Sequence, residues 1–162
     1  MVKISKNRHM TTKGKVKKNP YTSQFAIARR RDRKNAVDFI KRGYSGHMLD
    51  FRSNSMDPTS AKAMVRAIGY YNDFDHEAVN SAIDAVSSFV SGIAVGREGS
   101  PVIYVDIPYW TAQRATTKSK ERRKYTPSER KAMIQTVIRE FTHAQADEAD
   151  VRPGGMVRLW WD

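Results

Sequence analysis

Residues 126–129 carry a clear helix start, which limits the folds open to this chain. Thr126 is a typical N-cap residue, Pro127 suits the first helical position, and Glu129 completes a capping box. The following residues repeat apolar side chains at the spacing of one helical face. This predicted face consists of Met133, Ile134, Val137, Ile138, Phe141 and Ala144. The chain therefore contains a long helix with one side that must be buried.

The strongest strand prediction is the sequence SPVIYVDIPYW at residues 100–110. It is rich in β-branched and aromatic residues, and Ile103, Val105 and Ile107 fall on one face. A shorter strand is predicted within HMLDFRS at residues 47–53. Both strands supply surface on which helices can pack.

A further strand is predicted in MVRLWW, where Val157, Leu159 and Trp161 alternate with Arg158 and Trp160. If the first three face the core, the other two share the opposite face. Trp160 could there stack on a nucleic-acid base or on a partner side chain. Alternatively, it belongs to a second apolar layer covered by a helix.

Three more helices are predicted before residue 100. The first spans residues 21–43 and ends at Gly43, and the second begins at the N-cap Asp57 and ends at Gly69. A third, longer helix follows, and GREGS at 96–100 is the boundary before the strand of residues 100–110. The apolar stripe of this third helix is Val79, Ile83, Val86, Val90 and Ile93.

These elements predict an α+β fold with about four helices packed on a small, mainly antiparallel sheet. A length of 162 residues suits one domain. We assign residues 21–162 to that domain, with a basic loop at 111–126. Residues 1–20 show no apolar period, so we expect a disordered or extended basic arm.

Positive charge is concentrated in three segments. The chain has a net charge of +12, and residues 1–18, 29–34 and 114–131 hold 20 of its 29 cations but 3 of its 17 acids. These segments sum to +17 and the remainder to −5. Such segregation is typical of proteins that bind an anionic polymer, and the blocks lack the Gly-rich cradle of a single-nucleotide site.

The sequence therefore predicts a non-enzymatic protein that binds the backbone of DNA or RNA. We expect the cations next to Thr126 to leave the helix start electropositive until phosphate binds there. Trp110 adjoins this charge and is a candidate for stacking on a base. The predicted contacts are Lys13, Lys15, Lys17, Lys18, Arg29, Arg30, Arg31, Arg33, Lys34, Arg114, Lys118, Lys120, Arg122, Arg123, Lys124, Arg130 and Trp110.

Two other classes of protein remain open. An assembly subunit, such as a viral one, would use the arm and loop to contact neighbouring copies as a homo-oligomer. A metal-dependent nuclease would need acids such as Asp106 and the cluster Asp73, Asp75 and Glu77. Acids near a helix start are more simply explained as caps, so we expect no metal site.

Other features of the composition restrict partners and compartment. The chain has no cysteine and no apolar run of roughly 18 residues, and its arm lacks an amphipathic face for a membrane surface. We expect no cofactor and no membrane partner. The expected location is cytoplasmic, nucleoid-associated or within a virion.

Overall fold

A computed structural model describes residues 20–46, 48–111 and 123–162, with side chains described from residue 29 onwards in these ranges. The predicted arm up to residue 19 and most of the predicted basic loop lie outside the described residues. The same holds for eight predicted contacts: Lys13, Lys15, Lys17, Lys18, Arg114, Lys118, Lys120 and Arg122.

The described residues form four helices and seven strands. The helices are α1 (Pro20–Ser45), α2 (Pro58–Ile68), α3 (His76–Val86) and α4 (Pro127–His143). The strands are β1 (Asp50–Arg52), β2 (Tyr70–Tyr71), β3 (Phe74–Asp75), β4 (Gly92–Glu98), β5 (Ser100–Asp106), β6 (Glu148–Arg152) and β7 (Met156–Trp160). No helix in the described ranges has the length and apolar character needed to cross a bilayer.

Five strands form one antiparallel sheet in the order β1-β4-β5-β7-β6, and β2 pairs with β3 in a separate hairpin. All four helices pack on the same face of the five-stranded sheet. The predicted α+β class, with four helices on a mainly antiparallel sheet, is confirmed.

The core lies between the helices and this face of the sheet. Because side chains alternate along a strand, β5 directs Ile103 and Val105 into the core, while Val102 and Tyr104 lie on the other face. Trp161 is fully buried, and its indole Nε1 donates to the Ala144 carbonyl at 2.9 Å. Burial of this apolar face supplies most of the driving force for folding.

The predicted capping signals are confirmed. Asp57 caps α2 by accepting a hydrogen bond from the Ser60 N–H at 3.1 Å. Thr126 Oγ1 accepts from the Glu129 N–H at 3.2 Å, and Glu129 Oε2 accepts from the Thr126 N–H at 2.8 Å. The start of α4 thus satisfies two of its own backbone donors.

The predicted end of α1 at Gly43 is wrong, because the helix continues to Ser45. Gly43 is buried inside the helix, and a Cβ at this position would lie 2.5 Å from the ring of Phe51. Phe51 also packs edge-on against Phe39 and Tyr44. This glycine therefore allows α1 to approach β1 closely instead of ending the helix.

The predicted third helix is too long. Helix α3 ends at Val86, and Ile93 belongs to β4, which the sequence interpretation missed. Ile93 pairs with Val105, and the two strands meet at Gly99, whose φ is 73°. GREGS does lead into β5, as expected, and it also contains the end of β4 and the turn of the hairpin. Apolar residues spaced by three fit a helix face, but pairing with β5 determines the structure here.

Candidate nucleic-acid interface

The basic segment of α1 is held by the buried residues that follow it. Ala36 and Ile40 lie in the core, whereas Arg29, Arg30, Arg31 and Lys34 are exposed. Helix α1 packs mainly on α2, and Asp32 and Asn35 line a shallow groove with Asn54 and Met56. The predicted cations of this segment therefore sit on a helix anchored to the fold.

Arg33 differs from its neighbours because it is half-buried near the start of α2. Burial opposes ionisation of Asp57, but hydrogen bonds from Ser60 and Thr59 and the charge of Arg33 outweigh it, so the pKa of Asp57 is lowered. Arg33 therefore contributes to the environment of a helix cap as well as to the surface charge.

The ends of the predicted basic loop are joined by a short antiparallel ladder. The Thr111 N–H donates to the Arg123 carbonyl at 2.9 Å, and the Tyr125 N–H donates to the Tyr109 carbonyl at 2.8 Å. Trp110 pairs with Lys124 between these two bonds. This ladder, residues 109–111 with 123–125, fixes Trp110 and Lys124 opposite each other.

Arg123 is paired with an acid at the start of α4, which the sequence pattern does not predict. Its Nη1 and Nη2 donate to the two carboxylate oxygens of Glu129 at 2.9 and 2.7 Å. The helix start therefore already has an anion, supplied by its own capping residue. Lys124 has no ion-pair partner in the described part of the chain.

We expect this pairing to make the stability of α4 pH-dependent. The hydrogen bonds from Arg123 and from the Thr126 N–H lower the pKa of Glu129 to about 2, from 4.5. Because the folded-state pKa is depressed, the carboxylate stabilises the fold above pH 4.5, and this contribution is lost as the pH falls towards 2. Urea unfolding of the wild type and Glu129→Gln from pH 6 to 2 should show curves that converge at low pH. A gap that stays constant would contradict the ion pair.

Arg130 connects the ladder with the turn between β6 and β7. Its guanidinium lies 3.6 Å from the centroid of the Tyr109 ring, and its Nη2 donates to the Gly154 carbonyl at 3.0 Å. A longer contact of 3.5 Å reaches the Ile107 carbonyl. The sequence predicts Arg130 as a phosphate contact, and the structure shows that its side chain also braces the ladder.

An aromatic cleft of about 680 Å³ lies beside the ladder. It is lined by residues 88–91 and 107–111, together with Lys124, Tyr125 and Gly154. Trp110 is 51% exposed and Tyr109 is 44% exposed. Trp110 was predicted from its position next to the charge, whereas the contribution of residues 88–91 had no sequence signal because they are distant along the chain.

The described basic segments converge at one end of the sheet. At this end, Gly92 of β4, Asp106 of β5 and Met156 of β7 lie opposite one another in the strand register. We call it the basic end. The ladder follows directly from β5 at this end. Met56, which shares the groove beside α1, pairs with Ile93 next to Gly92, so the start of α2 and the basic segment of α1 lie there too.

The other end of the sheet is rich in acids, and we call it the acidic end. In the strand register, Asp50 of β1 lies opposite Glu98 of β4, and Glu148 of β6 lies opposite Trp160 of β7. Both positions are at the end of the sheet away from the basic end. The Asp162 N–H donates to the Asp147 carboxylate beside them at 2.8 Å. The charge segregation seen along the chain is thus also present in three dimensions.

The outer face of the sheet accounts for Arg158 and Trp160. Arg158 pairs with Glu98 at 2.6 Å, and Trp160 Nε1 donates to the Glu98 carbonyl at 3.1 Å. Burial and the hydrogen bond donated to Glu98 raise the pKa of the Tyr104 hydroxyl to about 12. Trp160 thus belongs to a small apolar cluster on the sheet, and no helix among the described residues covers it.

Two of the four acids considered for a metal site have structural partners. Asp75 caps α3 by accepting from the Glu77 N–H at 2.8 Å, as expected from its position. The Asp106 carboxylate accepts from the Ser55 hydroxyl at 2.5 Å. The described ranges contain no group of three or more potential ligands arranged to hold a metal ion.

The structure therefore brings together a defined part of the predicted site. Helix α1 carries five of the predicted contacts at the basic end: Arg29, Arg30, Arg31, Arg33 and Lys34. The ladder and the start of α4 bring Trp110, Arg123, Lys124 and Arg130 to the same end. Comparison of the chain with protein-family models, with curated proteins and with solved structures finds no match.

Proposed function

We propose that this protein binds nucleic acid without cleaving it, and that the basic end contacts the phosphate backbone. The observation that carries the proposal is the convergence of two basic segments, distant in sequence, at one end of the sheet while acids gather at the other. A charge run that only aids solubility has no reason to be placed in this way.

The exposed cations of the basic end support this proposal. Arg29, Arg30, Arg31, Lys34 and Lys124 form no ion pair within the described ranges, in contrast to Arg158, which pairs with three acids. Unpaired cations held close together repel one another, and an anionic polymer relieves that repulsion. The sequence adds four cations between Thr111 and Arg123 and seven ahead of α1.

A salt-dependent titration tests the proposal. We expect the affinity for labelled DNA or RNA to fall linearly with salt on a log–log plot, with a slope of about 0.7–0.9 for each phosphate contact. Deleting residues 1–18 should flatten the slope and leave the melting temperature unchanged, because the segment holds seven cations and few apolar residues. Absence of binding at about 50 mM salt, or equal binding to anionic lipid vesicles, would contradict the proposal.

An assembly subunit is the second candidate, and strand β6 favours it. All five residues of this edge strand are exposed, including Val151 at 53%, and nothing among the described residues pairs with its outer side. Exposed edges can pair with another copy. Gel filtration with and without nuclease separates the candidates: a large species that survives nuclease supports assembly, and one that disappears supports nucleic-acid binding.

A metal-dependent nuclease is the third candidate. We expect DNA and RNA to remain intact when the protein is incubated with Mg²⁺ or Mn²⁺. Cleavage that is abolished by Asp106→Asn would replace the binding proposal with this one.

A further inference from the structure

We propose that the basic end prefers single-stranded nucleic acid, because the aromatic cleft holds one unpaired base against Trp110. This inference rests on the proposed function and adds the strand state of the ligand. It is built only from described residues: the ladder, Arg130, Gly154 and residues 88–91.

Trp110 differs from the other two tryptophans of the chain. Trp161 is fully buried in the core, and Trp160 packs on the sheet and donates its indole hydrogen to Glu98. Trp110 keeps 51% of its surface exposed although it is large and apolar. A core function therefore does not explain its presence, whereas a ligand with a flat, polarisable face does.

The backbone around Trp110 is restrained. Hydrogen bonds on both sides of it close the ladder, and Arg130 stacks on Tyr109, the preceding residue. Stacking aromatics bind well when they do not have to be ordered on binding. Lys124, directly opposite Trp110, places a cation where the phosphate next to a stacked base would lie.

The cleft suits a base that has left its stack. Its volume of about 680 Å³ falls in the usual range of small-ligand sites. In a duplex, both faces of each base are covered by neighbouring base pairs, so an indole cannot stack on a base without unpairing it. A single strand offers these faces freely, and an aromatic side chain binds them with little regard to sequence.

The test compares Trp110→Ala and Trp110→Phe with the wild type. The probes are an oligothymidine, the matching oligouridine, a blunt-ended duplex of two strands and an abasic oligomer with the same number of phosphates. We expect Trp110→Ala to lose about 5- to 150-fold in affinity for the single strands. Its affinity for the duplex and the abasic oligomer should not change. Trp110→Phe should lose less, and similar results with thymidine and uridine would show that the sugar is not read.

Tyr70→Ala provides the matched control. Tyr70 is an exposed aromatic at 68%, and it follows the C-terminal end of α2, away from the basic end. This variant should bind every probe like the wild type. The abasic comparison keeps the test decisive if Trp110→Ala unfolds, because the wild type must itself bind oligothymidine more tightly than the abasic oligomer.

The outcomes separate this inference from the proposed function. If Trp110→Ala binds oligothymidine like the wild type, or if the wild type binds the abasic oligomer equally well, the stacking inference is wrong. The salt-dependent binding of all probes would then still support the proposed function. If no probe binds in a salt-dependent manner, the proposed function fails first.

Discussion

Replacing Arg30, Arg31 and Lys34 together with glutamine should weaken nucleic-acid binding on the order of a hundredfold at 0.1 M salt. All three side chains are exposed on α1 at the basic end. If each contacts a phosphate, the slope of log affinity against log salt should fall by roughly 2–3. Glutamine has a helix propensity close to those of arginine and lysine, so the melting temperature should remain nearly constant. Filter binding over a salt series measures both quantities.

The matched control removes the same charge from the opposite half of the fold. Lys41, Arg66 and Arg139 are exposed cations in the C-terminal halves of α1, α2 and α4. Replacing these three with glutamine changes the net charge equally but leaves the basic end intact. Equal losses in the two triple variants would mean that binding depends on total charge and would refute a localised interface.

Trp161→Ala should have the largest effect on stability. The indole is fully buried, packs edge-on against Phe74 and Phe141, and satisfies the Ala144 carbonyl after α4. Removing a buried aromatic side chain of this size costs about 3–5 kcal/mol of unfolding free energy. This loss is a large share of the usual 5–15 kcal/mol, and it corresponds to a fall in melting temperature of about 6–20 °C.

Trp160→Ala serves as the comparison, because this neighbouring tryptophan, the last residue of β7, is half-buried on the outer face of the sheet. We expect a smaller loss, since less apolar surface returns to water. Calorimetry on both variants checks the order. A greater loss for Trp160→Ala would indicate that the main core lies on the outer face of the sheet.

The elements that the sequence predicts well depend on local signals. The start of α4 follows from Thr126, Pro127 and Glu129, which lie within four residues, and its buried face follows from spacing along the same helix. The same reasoning holds for β5, whose alternation is visible within seven residues. Local chemistry is sufficient where the deciding interactions are close in sequence.

The missed strands depend on pairing with the strand that follows each of them, and not on a pattern within one segment. Strand β4 exists because it pairs with β5, and β6 is a fully exposed edge strand held by its pairing with β7. The sequence predicts a helix end at Gly43 because glycine often ends helices, but in the structure this glycine makes room for the ring of Phe51. Such contacts between neighbouring elements outweigh local preferences, and the spacing of apolar residues within one segment does not contain them.

The candidate site shows the same division. The charge of the α1 segment and the position of Trp110 beside the loop were visible in the sequence. The pairing of Arg123 with Glu129 and the stacking of Arg130 on Tyr109 depend on side-chain geometry, which charge counting does not contain. A basic residue near a helix start therefore indicates positive potential but does not reveal whether its own fold already uses it.

The opposite charges at the two ends of the sheet give the molecule an electric dipole moment, so an external field orients it. The field of a nearby polyanion would turn the basic end towards the polymer before contact. This orientation would raise the rate of productive encounters at low ionic strength. A docked copy would then hold Asp50, Asp147, Glu148 and Asp162 outward. These acids on adjacent copies would repel one another. Added salt shortens the range of that repulsion, so the copies would bind closer together along the polymer.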